Sequence, residues 1–340
     1  MTGNLSLSDL PITDLDLYRQ GFVSIYIALT HWCNLRCPHC YDEFQARSGM
    51  KTEHAQRIVE QVATLNLPKY FFDLSGGEIM GMPNWAELLE TFLQTGKDVA
   101  VNTNGTLINA HTILELDRLN AMYPDTLFLS VSLDSHIPEV NAYSRPGAAS
   151  NNVFEAMRLL KSHNIRFRAA VTLTGKNVET IEDTVRFIVT QYTHEFIIGV
   201  LRPVFMMTQE NQGIVISLEQ VQAAMARILD LKDELGDFQM YHCLDKNGAT
   251  FCEAGRDRIN INPNGTITPC YALQTPNWVM GNVYKEPLID IVRRMHAIHH
   301  RRDNRYLLCE NQTGFWGEPE YRLGLKSPDG EGLVLLDTIG

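Results

Sequence analysis

His31-Trp32-Cys33-Asn34-Leu35-Arg36-Cys37-Pro38-His39-Cys40-Tyr41 follows at once on Ser24–Thr30, an apolar run that reads as a β-strand. Three cysteines fall within eight residues, spaced C-x3-C-x2-C. Three thiolates this close can wrap one face of an iron–sulfur cube, which normally takes four cysteines. One iron is then left open, and an open position is what a catalytic metal site keeps for its ligand. An amine and a carboxylate on a small molecule would chelate it. The competing reading is a structural zinc site made of these cysteines and His39. Zinc sites usually come as two separated pairs, and no second pair lies nearby. The loop also stands at the C-terminal end of a strand, where catalytic loops of parallel barrels sit.

Outward from this loop, strands and helices alternate. Further strands are expected at Tyr70–Leu74, Asp98–Asn102, Thr126–Leu133, Arg166–Leu173 and Phe196–Leu201. Amphipathic stretches lie between them at Glu53–Leu65, Trp85–Leu93, Ala110–Leu119, Val153–Ser162 and Val178–Thr190. Such alternation implies βαβ units around a parallel sheet. Six units are fewer than the eight of a closed barrel. The fold class is therefore α/β, an open or partial (β/α)6 barrel.

The pattern changes after Pro203. Ser217–Leu235 reads as a helix with a capping box, Ser217 followed three residues later by Gln220. Ile259–Ile261 and Thr266–Thr268 flank Pro263-Asn264-Gly265, a strong hairpin signal. A basic helix follows at Leu288–Arg301. The chain divides into residues 1–205, the partial barrel, and residues 206–340, a connecting helix and a smaller hairpin-and-helix domain.

Composition narrows the function classes. The 340 residues are 44% hydrophobic and 20% charged, as in a globular protein with a sizeable core. A formal net charge of −11 argues against a nucleic-acid partner, which calls for cationic surface. No apolar run approaches the roughly 18 residues of a membrane span, and the polar, acidic stretch Thr2–Asp16 is no signal peptide. A cytoplasmic location is expected. Seven cysteines, an odd number, make a poor disulfide framework and point instead to metal or catalysis.

C-x3-C-x2-C followed by the aromatic Tyr41, at the end of a first strand, resembles the signature of radical S-adenosylmethionine (SAM) enzymes. The resemblance extends along the chain. Ser75-Gly76-Gly77-Glu78, after the second strand, is similar to that family's GGE motif, whose backbone and acid are implied to bind the SAM amino group. Two glycines allow close backbone approach, and a carboxylate complements an ammonium. Asn102-Thr103-Asn104-Gly105 and Ser130-Val131-Ser132-Leu133-Asp134 resemble segments that face the SAM ribose and methionyl portion, which implicates Asn104 and Ser132. Arg145 matches an arginine that pairs with the SAM carboxylate in many relatives. The bland readings are a turn for Asn104-Gly105 and a surface charge for Arg145.

In the C-terminal part, Cys252 leads through Gly265 to Cys270 as C-x12-G-x4-C, and Cys309 lies beyond the basic helix. The arrangement resembles the SPASM/twitch extension of radical SAM enzymes, which holds an auxiliary 4Fe–4S cluster. Its cysteines are too few for the two clusters of a full SPASM domain, so a twitch domain with one auxiliary cluster is the better match. Relatives often end in C-x2-C, whereas Cys309 is followed three residues later by Gln312. The fourth ligand is then Cys243, another residue, or nothing. Cys243 has two other readings: a hydrogen donor to a substrate radical, as in some epimerases with this extension, or a plain buried cysteine.

The resemblance implies a mechanism. An electron donor of the flavodoxin or ferredoxin type reduces the SAM-binding 4Fe–4S cluster, SAM is split, and a 5′-deoxyadenosyl radical takes hydrogen from the substrate. Oxidation with the auxiliary cluster as electron acceptor is the leading expectation; epimerisation through Cys243 is the alternative. About 20 residues precede the first strand, with no evident leader-gripping domain. That favours a small substrate, a sugar, aminocyclitol or nucleoside, over a modified ribosomal peptide. A non-catalytic iron–sulfur scaffold is the reading from another class, and SAM-contact motifs on several strands disfavour it.

Overall fold

The computed structural model describes residues 23–40, 49–148, 150–200, 214, 216–242, 255, 258–271, 274 and 278–301. Strand β1 (Val23–Thr30) buries Ile25, Ile27 and Leu29 completely on one face. β2 (Tyr70–Gly76), β3 (Val99–Thr103), β4 (Leu127–Ser132), β5 (Phe167–Leu173) and β6 (Glu195–Val200) repeat that alternation. The apolar face is covered by helices α1 (Thr52–Thr64), α2 (Trp85–Leu93), α3 (Ala110–Met122), α4 (Pro138–Ser144), α5 (Ser150–Ser162) and α6 (Ile181–Gln191). One continuous core results, with Phe72, Phe92, Leu129, Leu160 and Ile188 all out of solvent. Each such side chain contributes about 1.5–3 kcal/mol relative to an exposed one.

β1 to β6 are all parallel, and each pairs with the next. This is the sheet of a partial (β/α) barrel, as the alternating pattern predicts. The inner face carries the other residue of each alternation. Tyr26 stands opposite Asp73, Asp73 opposite Ala100, and Ser130 opposite Arg168. That face is polar and only partly covered.

The second part of the chain joins the same sheet. After α7 (Leu218–Leu235), whose Ser217–Gln220 capping box is formed, β7 (Gln239–His242) adds in parallel to β6. β8 (Arg258–Ile261) and β9 (Thr266–Thr268) make the expected antiparallel hairpin, extended by β10 (Gly281–Asn282). β8 also pairs in parallel with β1, Ser24 opposite Arg258 and Ile27 opposite Ile261. The described strands thus form one ten-stranded sheet, in the order β10-β9-β8-β1-β2-β3-β4-β5-β6-β7. α8 (Leu288–Arg301) follows the last hairpin strand. No described helix is long and apolar enough to cross a membrane.

Candidate active site

Strand β1 ends at Thr30 and delivers the cysteine loop to the C-terminal edge of the sheet, where the loops after β2, β3 and β4 converge on it. Leu35, Cys37 and Ala148 are buried together, with Cys33 and Cys40 packed against them. The loop therefore rests on the turn after α4. Burial raises the Cys33 thiol above its ordinary value, and pushes that of Cys37 up to about 11. Two donors aim at the Cys33 sulfur: the Leu35 N–H at 3.4 Å and the Asn104 amide at 3.7 Å. Arg145 lies close enough to Cys37 and Cys40 for the charges to act on one another.

The loop after β2 is stitched to the cysteine loop by its backbone. Gly77 N–H donates to the Thr30 carbonyl and Glu78 N–H to that of Trp32, both at 2.7 Å. A Cβ on Gly76 would stand 2.2 Å from the Thr30 oxygen, and one on Gly77 only 1.9 Å from that of Trp32. The sequence reading assigns this close approach to a ligand; in the structure the chain's own backbone fills it. Gly77→Ala is accordingly expected to displace Trp32 and Cys33. Iron analysis after anaerobic reconstitution should show the iron of one cluster lost, and wild-type iron content would refute the packing argument.

Glu78 departs from its expected role in the same way. Its carboxylate is fully buried and accepts from Met80 N–H at 3.2 Å, Thr103 hydroxyl at 2.7 Å and Asn104 N–H at 2.7 Å. Burial raises its carboxyl above the ordinary value, against those three bonds. The acid is an internal staple between β2 and β3.

Arg145 is neither a surface charge nor free of partners. Its Nε lies 2.9 Å from Asp134 Oδ2, and its Nη2 donates to Oδ1 at 3.2 Å; both side chains are buried. Only the Nη2 contact has hydrogen-bond geometry, so the short Nε contact is read as an ion pair. Ser144 hydroxyl and Thr172 N–H complete the donors to Asp134, at 2.6 and 2.8 Å. Burial alone would raise the Asp134 carboxyl, but Arg145 and these donors hold it below its ordinary value. Nη1 of Arg145 donates to none of the described residues and remains available to an anion.

Ser132 ends β4, half-buried, on the inner face shared with Ser130. Cys270 is buried beside the hairpin base, where Gly255 N–H reaches the Pro269 carbonyl at 2.9 Å. Tyr41, Cys243, Cys252 and Cys309 lie outside the described residues. Asn34, Thr103 and Thr106 are also tied into the loop after β3, the segment that Asn102-Thr103-Asn104-Gly105 marks in the sequence.

The donor set fits an iron–sulfur cluster. Cys33, Cys37 and Cys40 gather on one loop around Leu35 and Ala148, and a cube takes each thiolate at a separate corner. His39 Nδ1, inside the loop, is buried with no partner among the described residues, and burial lowers the ring to about 4. A neutral imidazole with an orphaned nitrogen suits a polar ligand beside the loop.

The family model of the radical SAM superfamily matches residues 27–188, which span the cysteine loop and all the loops that meet it. These residues form a radical SAM domain. A second family model, SPASM, an iron–sulfur cluster-binding domain, matches residues 252–311, which include Cys252, Cys270 and Cys309. The cofactors of the chain are SAM, the 4Fe–4S cluster that binds it and an auxiliary cluster. AlbA, the antilisterial bacteriocin subtilosin biosynthesis protein of Bacillus subtilis, is 27% identical over 76% of this chain and 56% of its own length. The PqqA peptide cyclase of Granulibacter bethesdensis is 23% identical over 73% of this chain and 67% of its own. Streptococcus suis SuiB, solved bound to the precursor peptide SuiA, superposes with a TM-score of 0.68. That superposition covers 83% of this chain and 67% of SuiB at 17% identity, and shows a shared fold.

Proposed function

We propose that this chain is a radical SAM enzyme that modifies a peptide. The observation that carries the reading is the likeness to AlbA and the PqqA peptide cyclase over about three-quarters of the chain. The small-substrate expectation gives way to it. The inner face of the sheet is compatible with a peptide. Asp73 accepts from Asn102 at 2.6 Å, Arg168 donates to Ser130 at 2.6 Å, and the charges of Arg168 and Arg258 both act on Asp73. Such a wall offers partners to backbone amides and to charged side chains alike.

Cys33, Cys37 and Cys40 would hold the SAM-binding cluster; Cys252, Cys270 and Cys309 would hold the auxiliary one. Bound together, cluster and SAM supply one-electron reductive cleavage and a 5′-deoxyadenosyl radical. The protein's own part is orientation. Main-chain carbonyls at Gly76 and Gly77 would receive the SAM ammonium, and Nη1 of Arg145 its carboxylate. By the family's pattern Asn104, Ser132 and the aromatic Tyr41 would face SAM. A flavodoxin- or ferredoxin-type donor supplies the electron, and the location is cytoplasmic. Oxidation, with the auxiliary cluster as acceptor, is the proposed outcome; Cys243 as hydrogen donor would instead make the enzyme an epimerase.

The test is anaerobic turnover of the reduced, reconstituted protein with SAM and short peptides encoded beside its gene. A peptide product altered by hydrogen loss, formed with 5′-deoxyadenosine, is the expected result. A peptide returned unchanged while a sugar or nucleoside is converted would overturn the reading.

A further inference from the structure

Asn104 stands at the end of β3, buried to 7% exposure, within a closed ring of side chains. Its Oδ1 accepts from the Thr106 N–H at 2.9 Å and the Thr106 hydroxyl at 2.6 Å. A backbone N–H can only donate, so the atom facing it is oxygen and the amide has a single orientation. Nδ2 therefore points the other way. One of its hydrogens goes to Asn34 Oδ1 at 2.8 Å and the other to Cys33 Sγ at 3.7 Å. Asn34 Nδ2 closes the ring by donating to Thr106 Oγ1 at 2.8 Å. The backbone of Asn104 is pinned in turn by Glu78, through the N–H donated to Oε2 and the bond of neighbouring Thr103 to Oε1. The one donor the ring does not consume is thus held toward a cluster ligand.

We propose that Asn104 is a positioning residue that sets the reduction potential of the SAM-binding cluster by donating an N–H···S hydrogen bond to the Cys33 sulfur. Reduction adds negative charge to the cluster and its thiolates, and a donor at the sulfur stabilises that charge. Glu78, two residues past the β2 strand, aligns the donor without touching the cluster. The Leu35 N–H remains as a second donor to the same sulfur in any Asn104 variant. The inference rests on the cluster assignment made above. Iron analysis separates the two failures: loss of the assignment shows as wild-type protein without iron at this loop, loss of the inference as iron with an unmoved potential.

The experiment is a redox titration of reconstituted wild type, Asn104→Ala and Thr106→Val, followed by electron paramagnetic resonance. The signal that changes on adding SAM identifies the cluster being read. Thr106→Val keeps the backbone N–H that orients the Asn104 amide. At the wild-type midpoint, Asn104→Ala should lower the reduced-to-oxidised ratio by up to about tenfold, which is ~59 mV for a one-electron couple. Thr106→Val should stay within about twofold of wild type. An iron-replete Asn104→Ala with the wild-type midpoint would overturn the proposal, as would an equal shift in Thr106→Val. Should Asn104→Ala not retain iron, wild type labelled with nitrogen-15 in its asparagine side-chain amides decides the matter. Electron–nuclear double resonance on the reduced cluster should then show a coupled amide nitrogen, and its absence refutes the bond.

Discussion

Alanine at Cys33, Cys37 and Cys40 together is expected to remove about half of the iron, roughly four of eight atoms per chain, and all cleavage of SAM. The three thiols sit at one loop with no described cysteine of the second part among them, so their loss should empty one cluster and leave the other. Because Cys37 is buried at 8% exposure and packs on Leu35 and Ala148, small alanines lose little packing and the fold should survive. Iron and sulfide analysis with absorption spectroscopy reads the result. Full iron content in the triple variant, or zinc in place of iron in wild type, would remove the site from this loop.

Arg145→Ala should destabilise the protein by about 3–5 kcal/mol even without SAM or iron, the cost of leaving a buried carboxylate without its counter-charge. Asp134 would keep only the Ser144 hydroxyl and the Thr172 N–H. Denaturant unfolding of the cluster-free protein measures the loss. The double variant with Asp134→Ala should lose less than the sum of the two single changes, as coupled partners do. The pH dependence has a definite sign. The folded Asp134 carboxyl lies below its ordinary value of 3.8, so the pair's stabilisation is present above that value. It is lost as pH falls through the lower, folded one. Arg145→Ala should flatten that acid limb. Wild-type stability combined with weaker SAM binding would instead make Arg145 purely a ligand for the SAM carboxylate.

The barrel was legible because its information is local. In β1, β3 and β4 the apolar residues come in short runs rich in valine, isoleucine and leucine; the structure keeps those strands within a residue or two of their sequence limits. The cysteine loop was legible for the same reason, its spacing being complete within eight residues. Short elements escaped notice. α4 has seven residues beginning at Pro138, and β7 has four, too few for a period to show. What sequence could not supply is the pairing of distant polar groups. Glu78 looks like an open acid until Thr103 and Asn104, 25 and 26 residues on, are seen to consume it. Arg145 looks solvent-facing until Asp134, eleven residues back, is found beneath it. The hairpin at β8 gave no sign that it would pair with β1, more than two hundred residues earlier.

SAM cleavage at the Cys33–Cys40 loop is measured most directly as the 5′-deoxyadenosine formed per chain by anaerobic, reconstituted, dithionite-reduced protein supplied with SAM. Wild type should form 5′-deoxyadenosine and methionine in equal amounts, while the Cys33→Ala, Cys37→Ala, Cys40→Ala triple variant forms neither. Iron-replete wild type that leaves SAM intact, or a triple variant that still cleaves it, would contradict the account.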